Sequence, residues 1–273
     1  MIAELNGVRL GYSDAGSGSP VALLVHGYLL NRSMWDPQLG PLRARGRVIA
    51  PDLRGFGASE PGPPGPLTMD QHADDLAALL DHLQVREPVV FCGLSMGGYI
   101  AFAFCQRHAQ RLRALVLADT RATADTPEQR AERYALVEAT ERTASTEPAI
   151  QAYLPRLFSP TLPTGSPLVP IVRAMLGGTS LRGIADGTRG MAARPDSLDL
   201  LPQIGAPTLI MVGEHDVLTT PAEAELMHAQ LPHAQLVVIS QAGHMSNMEN
   251  PDEFNSALTG FLRACATGGR RAR

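Results

Sequence analysis

The chain has 273 residues, which at about 150 residues per domain suits one large core carrying an insertion. Its 44% hydrophobic and 18% charged residues, with 26 Gly and 22 Pro, exclude disordered, collagenous and coiled-coil classes. A net charge of -4 excludes the basic surface that nucleic acid requires, and the absence of a long unbroken apolar run excludes a membrane-spanning helix.

In chain order, Asn6-Gly7 is a favoured two-residue turn between alternating segments, which predicts a hairpin at the start. Short apolar runs without alternation follow at 21–25, 48–50, 89–92, 114–118, 208–212 and 236–239. Runs of this length rich in Val, Leu and Ile predict strands covered on both faces of a parallel sheet. Helical periodicity falls between them at 69–83, 97–108, 222–231 and 252–264, so the alternation predicts a doubly wound α/β sheet with right-handed crossovers. The run of strands stops over 122–194. Helical pieces there, at 127–143 and 167–175, are interrupted by Pro148, Pro155, Pro160, Pro163 and Gly177-Gly178, which predicts a helical cap inserted into a core of 1–121 and 195–267. Residues 268–273, with Arg270, Arg271 and Arg273, read as a disordered tail.

Cys92, Cys105 and Cys265 stand at unrelated spacings that suggest neither a disulfide framework nor a zinc site. The first seven residues carry an acid and a turn pair where a secretory leader needs a basic and apolar start, so a cytoplasmic protein is expected.

Gly93-Leu94-Ser95-Met96-Gly97 matches G-x-S-x-G, directly after one predicted strand and directly before a predicted helix. That setting holds a serine hydroxyl out over the sheet on a tight turn, but a serine needs a base, and the base an orienting acid. Asp216 follows the run 208–212 and His244 follows 236–239, so both leave the carboxyl ends of strands, in the chain order Ser, acid, His. Asp119 is the rival acid, with Glu214 and Glu249 flanking the candidates, and His215 is the rival base. An acyl-transfer site also needs two backbone N–H groups for the oxyanion, which nominates Met96 after the serine and Tyr28 in the loop after the first parallel strand. His26 is expected to brace that loop. Leu29 with Leu157, Phe158, Ile171 and Met175 of the cap are the candidate pocket walls, and the scarcity of cations beside them favours a neutral substrate, with Arg156 or Arg173 as possible partners for a carboxylate.

These motifs resemble the α/β-hydrolases across nearly the whole chain. His26-Gly27-Tyr28-Leu29-Leu30, Ser33-Met34-Trp35, Asp52-Leu53-Arg54-Gly55-Phe56-Gly57-Ala58-Ser59 and Ser95-Met96-Gly97-Gly98 resemble bacterial aryl esterases and cofactor-free perhydrolases. Met34-Trp35-Asp36-Pro37-Gln38, the 91–98 string and His244-Met245-Ser246-Asn247-Met248-Glu249-Asn250-Pro251 resemble 3-oxoadipate enol-lactonases. The resemblance implies an eight-stranded, mostly parallel sheet with a helical cap and a Ser95, Asp216 and His244 triad. It also implies oxyanion donors at Tyr28 and Met96, a small ester or lactone as substrate, and no cofactor or metal. Ser95 argues against haloalkane dehalogenases and epoxide hydrolases, which need a carboxylate there. A C–C bond hydrolase or perhydrolase would use the same triad, and a hydrolase-like ligand receptor is disfavoured by the intact set. The sequence is silent on oligomeric state.

Overall fold

A computed structural model describes residues 1–231 and 233–268. Among them eight strands form one sheet: β1 (Ile2–Leu5), β2 (Val8–Ala15), β3 (Val21–Val25), β4 (Arg47–Pro51), β5 (Val89–Leu94), β6 (Leu112–Ala118), β7 (Thr208–Gly213) and β8 (Ala234–Ile239), in the order β1-β2-β4-β3-β5-β6-β7-β8. β1 and β2 pair antiparallel across Asn6-Gly7, whose φ values of 48° and 74° suit the mirror-image hairpin turn. β2 meets β4 antiparallel, and from β4 to β8 every pairing is parallel. The expected mostly parallel α/β sheet is therefore the observed one.

β3, β5 and β7 are buried at every residue, as strands covered on both faces must be. β8 differs: it pairs with β7 alone and is fully buried only at Ile239, so its apolar run belongs to an edge. The covering helices are α1 (Asp36–Arg43), α2 (Met69–His82) and α3 (Met96–Arg107). Between β6 and β7 lie α4 (Pro127–Thr143), α5 (Glu147–Tyr153), α6 (Leu168–Gly177) and α7 (Leu181–Ala192), and after β7 come α8 (Pro221–Gln230), α9 (Ser246–Glu249) and α10 (Pro251–Gly268). α2 packs on α3 and α1 on α10. α10 runs through Gly268, so the expected tail loses its first residue to a helix, and 269–273 lie outside the described residues. No helix among the described residues is long and apolar enough to cross a membrane.

The segment between β6 and β7 contains two helices that periodicity misses. Pro148 starts α5 instead of breaking the chain, because a first-turn proline sacrifices only an N–H that has no helical partner. α7 is obscured by Gly183, Gly187 and Gly190, which share one face. A Cβ at Gly183 would fall on the Gly55 carbonyl and one at Gly190 on the Leu67 carbonyl, so the missing side chains are what let α7 lie against the core loops.

His72 of α2 is fully buried, and neither ring nitrogen has a partner. Burial, with the positive charge of Arg54 and the neighbouring His26, pushes its pKa down to about 3. The unfolded chain therefore takes up this proton first, and the stability conferred by a neutral His72 is whole above about pH 6.5 and lost as pH falls from there toward 3. We expect the stability difference between His72→Leu and wild type to move in the variant's favour by about 1.4 kcal/mol per pH unit below pH 6. Denaturant titrations at pH 7, 6, 5 and 4 check this, and a difference independent of pH would contradict it.

Candidate active site

Ser95 stands between β5 and α3 with φ 56° and ψ -114°, a conformation costing about 1–3 kcal/mol that the surroundings impose. Its N–H donates to the Ala118 carbonyl at 2.9 Å, and its carbonyl accepts from Gly98 N–H and from the Thr120 hydroxyl, both at 2.8 Å. Gly93 is needed for the turn, since a Cβ there would overlap the Gly97 carbonyl. Met96 is the first residue of α3, so its N–H lacks a helical acceptor.

His244 lies in the loop after β8 and Asp216 in the loop after β7, both 3% exposed. His244 Nδ1 is 2.8 Å from Asp216 Oδ2. Asp216 Oδ1 accepts from the N–H groups of Leu218 (2.8 Å) and Thr219 (3.1 Å), and Oδ2 accepts from the Thr219 hydroxyl at 2.7 Å. Burial disfavours the Asp216 carboxylate, but the His244 charge, its hydrogen bond and those of Thr219 outweigh it and hold the pKa below the usual range. Burial likewise disfavours the His244 imidazolium, yet Asp216, then Asp119 and Glu249, raise its pKa. An ionised Asp216 can only accept, so Nδ1 carries the proton and Nε2 is left with the lone pair.

The rival residues are occupied elsewhere. Asp119 at the end of β6 accepts from Gly213 N–H at 2.8 Å and from the Ser246 hydroxyl, and burial with the Asp216 charge lifts its carboxyl well above the usual range. His215 is half-buried, its Nε2 3.8 Å from Glu214 Oε2. His26 is fully buried; Nδ1 donates to the Gly27 carbonyl at 2.7 Å and Nε2 accepts from Leu53 N–H at 2.9 Å. It thus ties the loop after β3 to the 52–59 segment, where Asp52 accepts from Arg32 N–H and Ala58 N–H, each at 2.8 Å.

Ser95 and His244 line one cavity of about 150 Å³, together with Gly27, Tyr28, Leu30 and Thr219. The Tyr28 hydroxyl donates to the Ile184 carbonyl at 3.0 Å and lies 2.5 Å from Thr188 Oγ1, which fastens this loop to α7. Of the candidate walls, Leu157 lines the cavity and the other four do not. Leu29 is buried away from it with φ 63°, its carbonyl accepting from the Thr179 hydroxyl. Phe158 backs Gly243, Met175 is buried among the inserted helices, and Ile171 is 46% exposed, because α6 turns Val172, Met175 and Leu176 inward. The expectation of few cations also fails: Arg121, Arg133 and Arg156 line the cavity, whereas Arg173 pairs with Glu147 at 2.9 Å.

Sequence reasoning missed Thr219, which an Asp followed three residues later by a hydroxyl in a loop suggests, and it placed Glu249 only as an acid flanking the candidates, without its bracing role. Glu249 accepts from Gly243 N–H at 2.9 Å and from Ser159 N–H at 2.8 Å, clamping the His244 loop to the inserted segment.

Residues 22–257 match the family described as the alpha/beta hydrolase family. The chain is 32% identical over 258 residues to 3-oxoadipate enol-lactonase 2 of Acinetobacter baylyi, covering 94% of each sequence. A solved thermophilic esterase from Thermogutta terrifontis superposes with TM-score 0.90 at 41% identity over 94% of both chains. The enol-lactonase of Burkholderia xenovorans LB400 superposes with TM-score 0.88 at 32% identity, over 96% of this chain and 100% of that one.

Proposed function

The chain belongs to the alpha/beta hydrolase family, and from that premise we propose that it is a serine hydrolase cleaving a carboxylic ester or lactone through an acyl-enzyme. The observation that carries this reading is the Asp216–His244 hydrogen bond beside a cavity shared with Ser95 on its strained turn. Ser95 Oγ attacks the carbonyl carbon while His244 Nε2 takes its proton. The Tyr28 and Met96 N–H groups receive the oxyanion, and Asp216 orients the imidazole and stabilises its charged form. His244 then protonates the leaving alkoxide, takes a proton from water as the hydroxide adds to the acyl carbon, and returns that proton to Ser95 Oγ as the acid departs. In this reading residues 122–194 act as a cap, and Thr219 holds Asp216 in the geometry that His244 needs.

A fluorophosphonate, which reacts with activated serines, tests the proposal directly. One adduct per chain mapped to Ser95 by peptide mass spectrometry supports it, and labelling that persists in Ser95→Ala contradicts it. A second reading, hydrolysis of 3-oxoadipate enol-lactone, is favoured by the Acinetobacter baylyi relative that carries that name and by the Burkholderia xenovorans structure named an enol-lactonase, and uses the same groups. Comparing kcat/KM on that lactone and on 4-nitrophenyl acetate separates the two.

Glu249 is a positioning residue in this scheme. Replacing it by Gln sets an amide N–H₂ against one of the backbone N–H groups it now receives, and removes a charge that raises the His244 pKa. We expect kcat to fall by roughly 10- to 100-fold, the scale of a misplaced catalytic group, with KM little changed and the acid limb of kcat shifted to lower pH. An unchanged kcat and pH profile would remove Glu249 from this role.

A further inference from the structure

In the serine hydrolase reading Tyr28 N–H receives the oxyanion, so the reaction depends on how firmly the Gly27–Tyr28 amide is held. A planar trans amide points its C=O and N–H in opposite directions, and whatever fixes the Gly27 carbonyl therefore fixes Tyr28 N–H. That carbonyl accepts from His26 Nδ1 at 2.7 Å and from Leu30 N–H at 3.3 Å, while Tyr28 N–H donates to no acceptor among the described residues. Leu30 N–H belongs to the Leu29–Leu30 amide, whose carbonyl accepts from the Thr179 hydroxyl at 3.2 Å. Two amides thus stand in series between Thr179 and Tyr28 N–H, and a donor at one end both orients and polarises the next. Leu29 sits between them with φ 63°, a left-handed conformation that a leucine does not favour and that these contacts sustain.

A second tether reaches Tyr28 through its side chain. Its hydroxyl lies 2.5 Å from Thr188 Oγ1 and 3.0 Å from the Ile184 carbonyl, and the Thr188 hydroxyl donates to that carbonyl at 2.7 Å. The Tyr28 ring packs edge-on against Phe56 and Tyr153, and Gly187 makes room for it, since a Cβ there would stand 2.9 Å from Phe56 and 3.3 Å from Tyr28. Thr179 joins α6 to α7 and Thr188 lies on α7, both buried, so the two tethers come from the inserted segment, 150 and 160 positions along the chain from their partners.

We propose that the inserted segment builds the oxyanion site as well as covering it. Thr179, through the Leu29–Leu30 amide, and Thr188, through the Tyr28 hydroxyl, are positioning residues that hold Tyr28 N–H on the developing oxyanion. The inference rests on the serine hydrolase reading and gives α6 and α7 a share in the chemical step.

Thr179→Val removes the first tether at nearly constant shape. On 4-nitrophenyl acetate it is expected to lower kcat and kcat/KM together by roughly 10- to 50-fold, with KM within about twofold of wild type, because a misdirected donor costs less than the roughly 10²- to 10³-fold of a missing one. Tyr28→Phe keeps the backbone N–H and leaves Thr188 bonded to the Ile184 carbonyl, so it should fold and lose roughly 3- to 10-fold; it carries the test if Thr179→Val does not fold. A small trifluoromethyl ketone adds Ser95 Oγ to its carbonyl carbon, the Oγ proton passing to His244, and sets an oxyanion in the same place. Its Ki should rise in each variant by about the factor lost in kcat/KM. Thr179→Ser, which keeps a hydroxyl, should stay within about threefold of wild type in both measurements. Unchanged kcat/KM and ketone Ki in the variants overturn the inference. So does a loss that Thr179→Ser shares, or one that leaves the ketone Ki at its wild-type value, as a merely structural part would. Fluorophosphonate labelling of wild-type Ser95 keeps the two readings apart. A labelled, active wild type with insensitive variants sinks the inference alone, and a wild type that neither labels nor turns over the ester sinks the serine hydrolase reading with it.

Discussion

Ser95→Ala is expected to lower kcat by on the order of 10⁴- to 10⁶-fold on any ester that the wild type hydrolyses, with circular dichroism and Tm close to wild type. The size of the loss follows from covalent chemistry. Without Oγ there is no acyl-enzyme, and what survives is direct attack by water on a carbonyl still polarised by the Tyr28 and Met96 N–H groups. The fold should tolerate the change, because the contacts that hold the turn are made by the backbone of Ser95 and by Thr120 and Gly98, none of which needs the hydroxyl. Alanine inherits the same φ of 56°, so the backbone strain is common to both proteins and cancels in the comparison. A variant with a tenth of wild-type turnover would remove Ser95 as nucleophile.

Asp216→Asn is expected to cost on the order of 10⁴-fold in kcat, for a reason visible in the proton inventory. Asp216 now accepts from Leu218 N–H, Thr219 N–H and the Thr219 hydroxyl as well as from His244 Nδ1–H. An Asn keeps one acceptor oxygen, which the Leu218 and Thr219 N–H groups claim, and so turns its amide N–H₂ toward His244. Nδ1 must then accept, the proton moves to Nε2, and the nitrogen facing the cavity cannot take a proton from Ser95. The pH dependence gives a second readout. With Asp216 raising the His244 pKa above 6.5, the acid limb of kcat/KM lies above that value in wild type. Removing the carboxylate leaves burial opposed only by Asp119 and Glu249, so the limb of the residual activity moves down. Full activity with an unmoved limb would show that Asp216 does not act on His244.

The two variants bear on residues whose positions are predictable from the chain for a simple reason. Ser95, Asp216 and His244 each follow a short apolar run, and a run that ends a parallel strand delivers its next loop to one edge of the sheet. The hairpin at Asn6-Gly7, the strands from β3 to β8 and the helices α2, α3, α8 and α10 were likewise legible to within a few residues, because a turn pair, an unbroken apolar run and a helical stripe are each local signals. α7 was not, since its glycines lower helix propensity and acquire meaning only beside Gly55 and Leu67. Ile171 illustrates the opposite failure: an apolar residue on a helix of nearly unbroken apolar sequence gives no hint of which side meets the core.

By itself the sequence determined the class of fold and the strand ends at which Ser95, Asp216 and His244 gather, because both depend on local hydrophobic pattern and on the turn chemistry of a few residues. Tertiary structure alone decided what surrounds those groups. It set His244 on Asp216 and not on Asp119, joined Glu249 to the amides of Gly243 and Ser159, and brought Arg121, Arg133 and Arg156 to one cavity from three separate elements. Most of these contacts join residues tens of positions apart or more and leave no periodic trace in the chain, and the charge they assemble around the cavity exists only once the chain is folded.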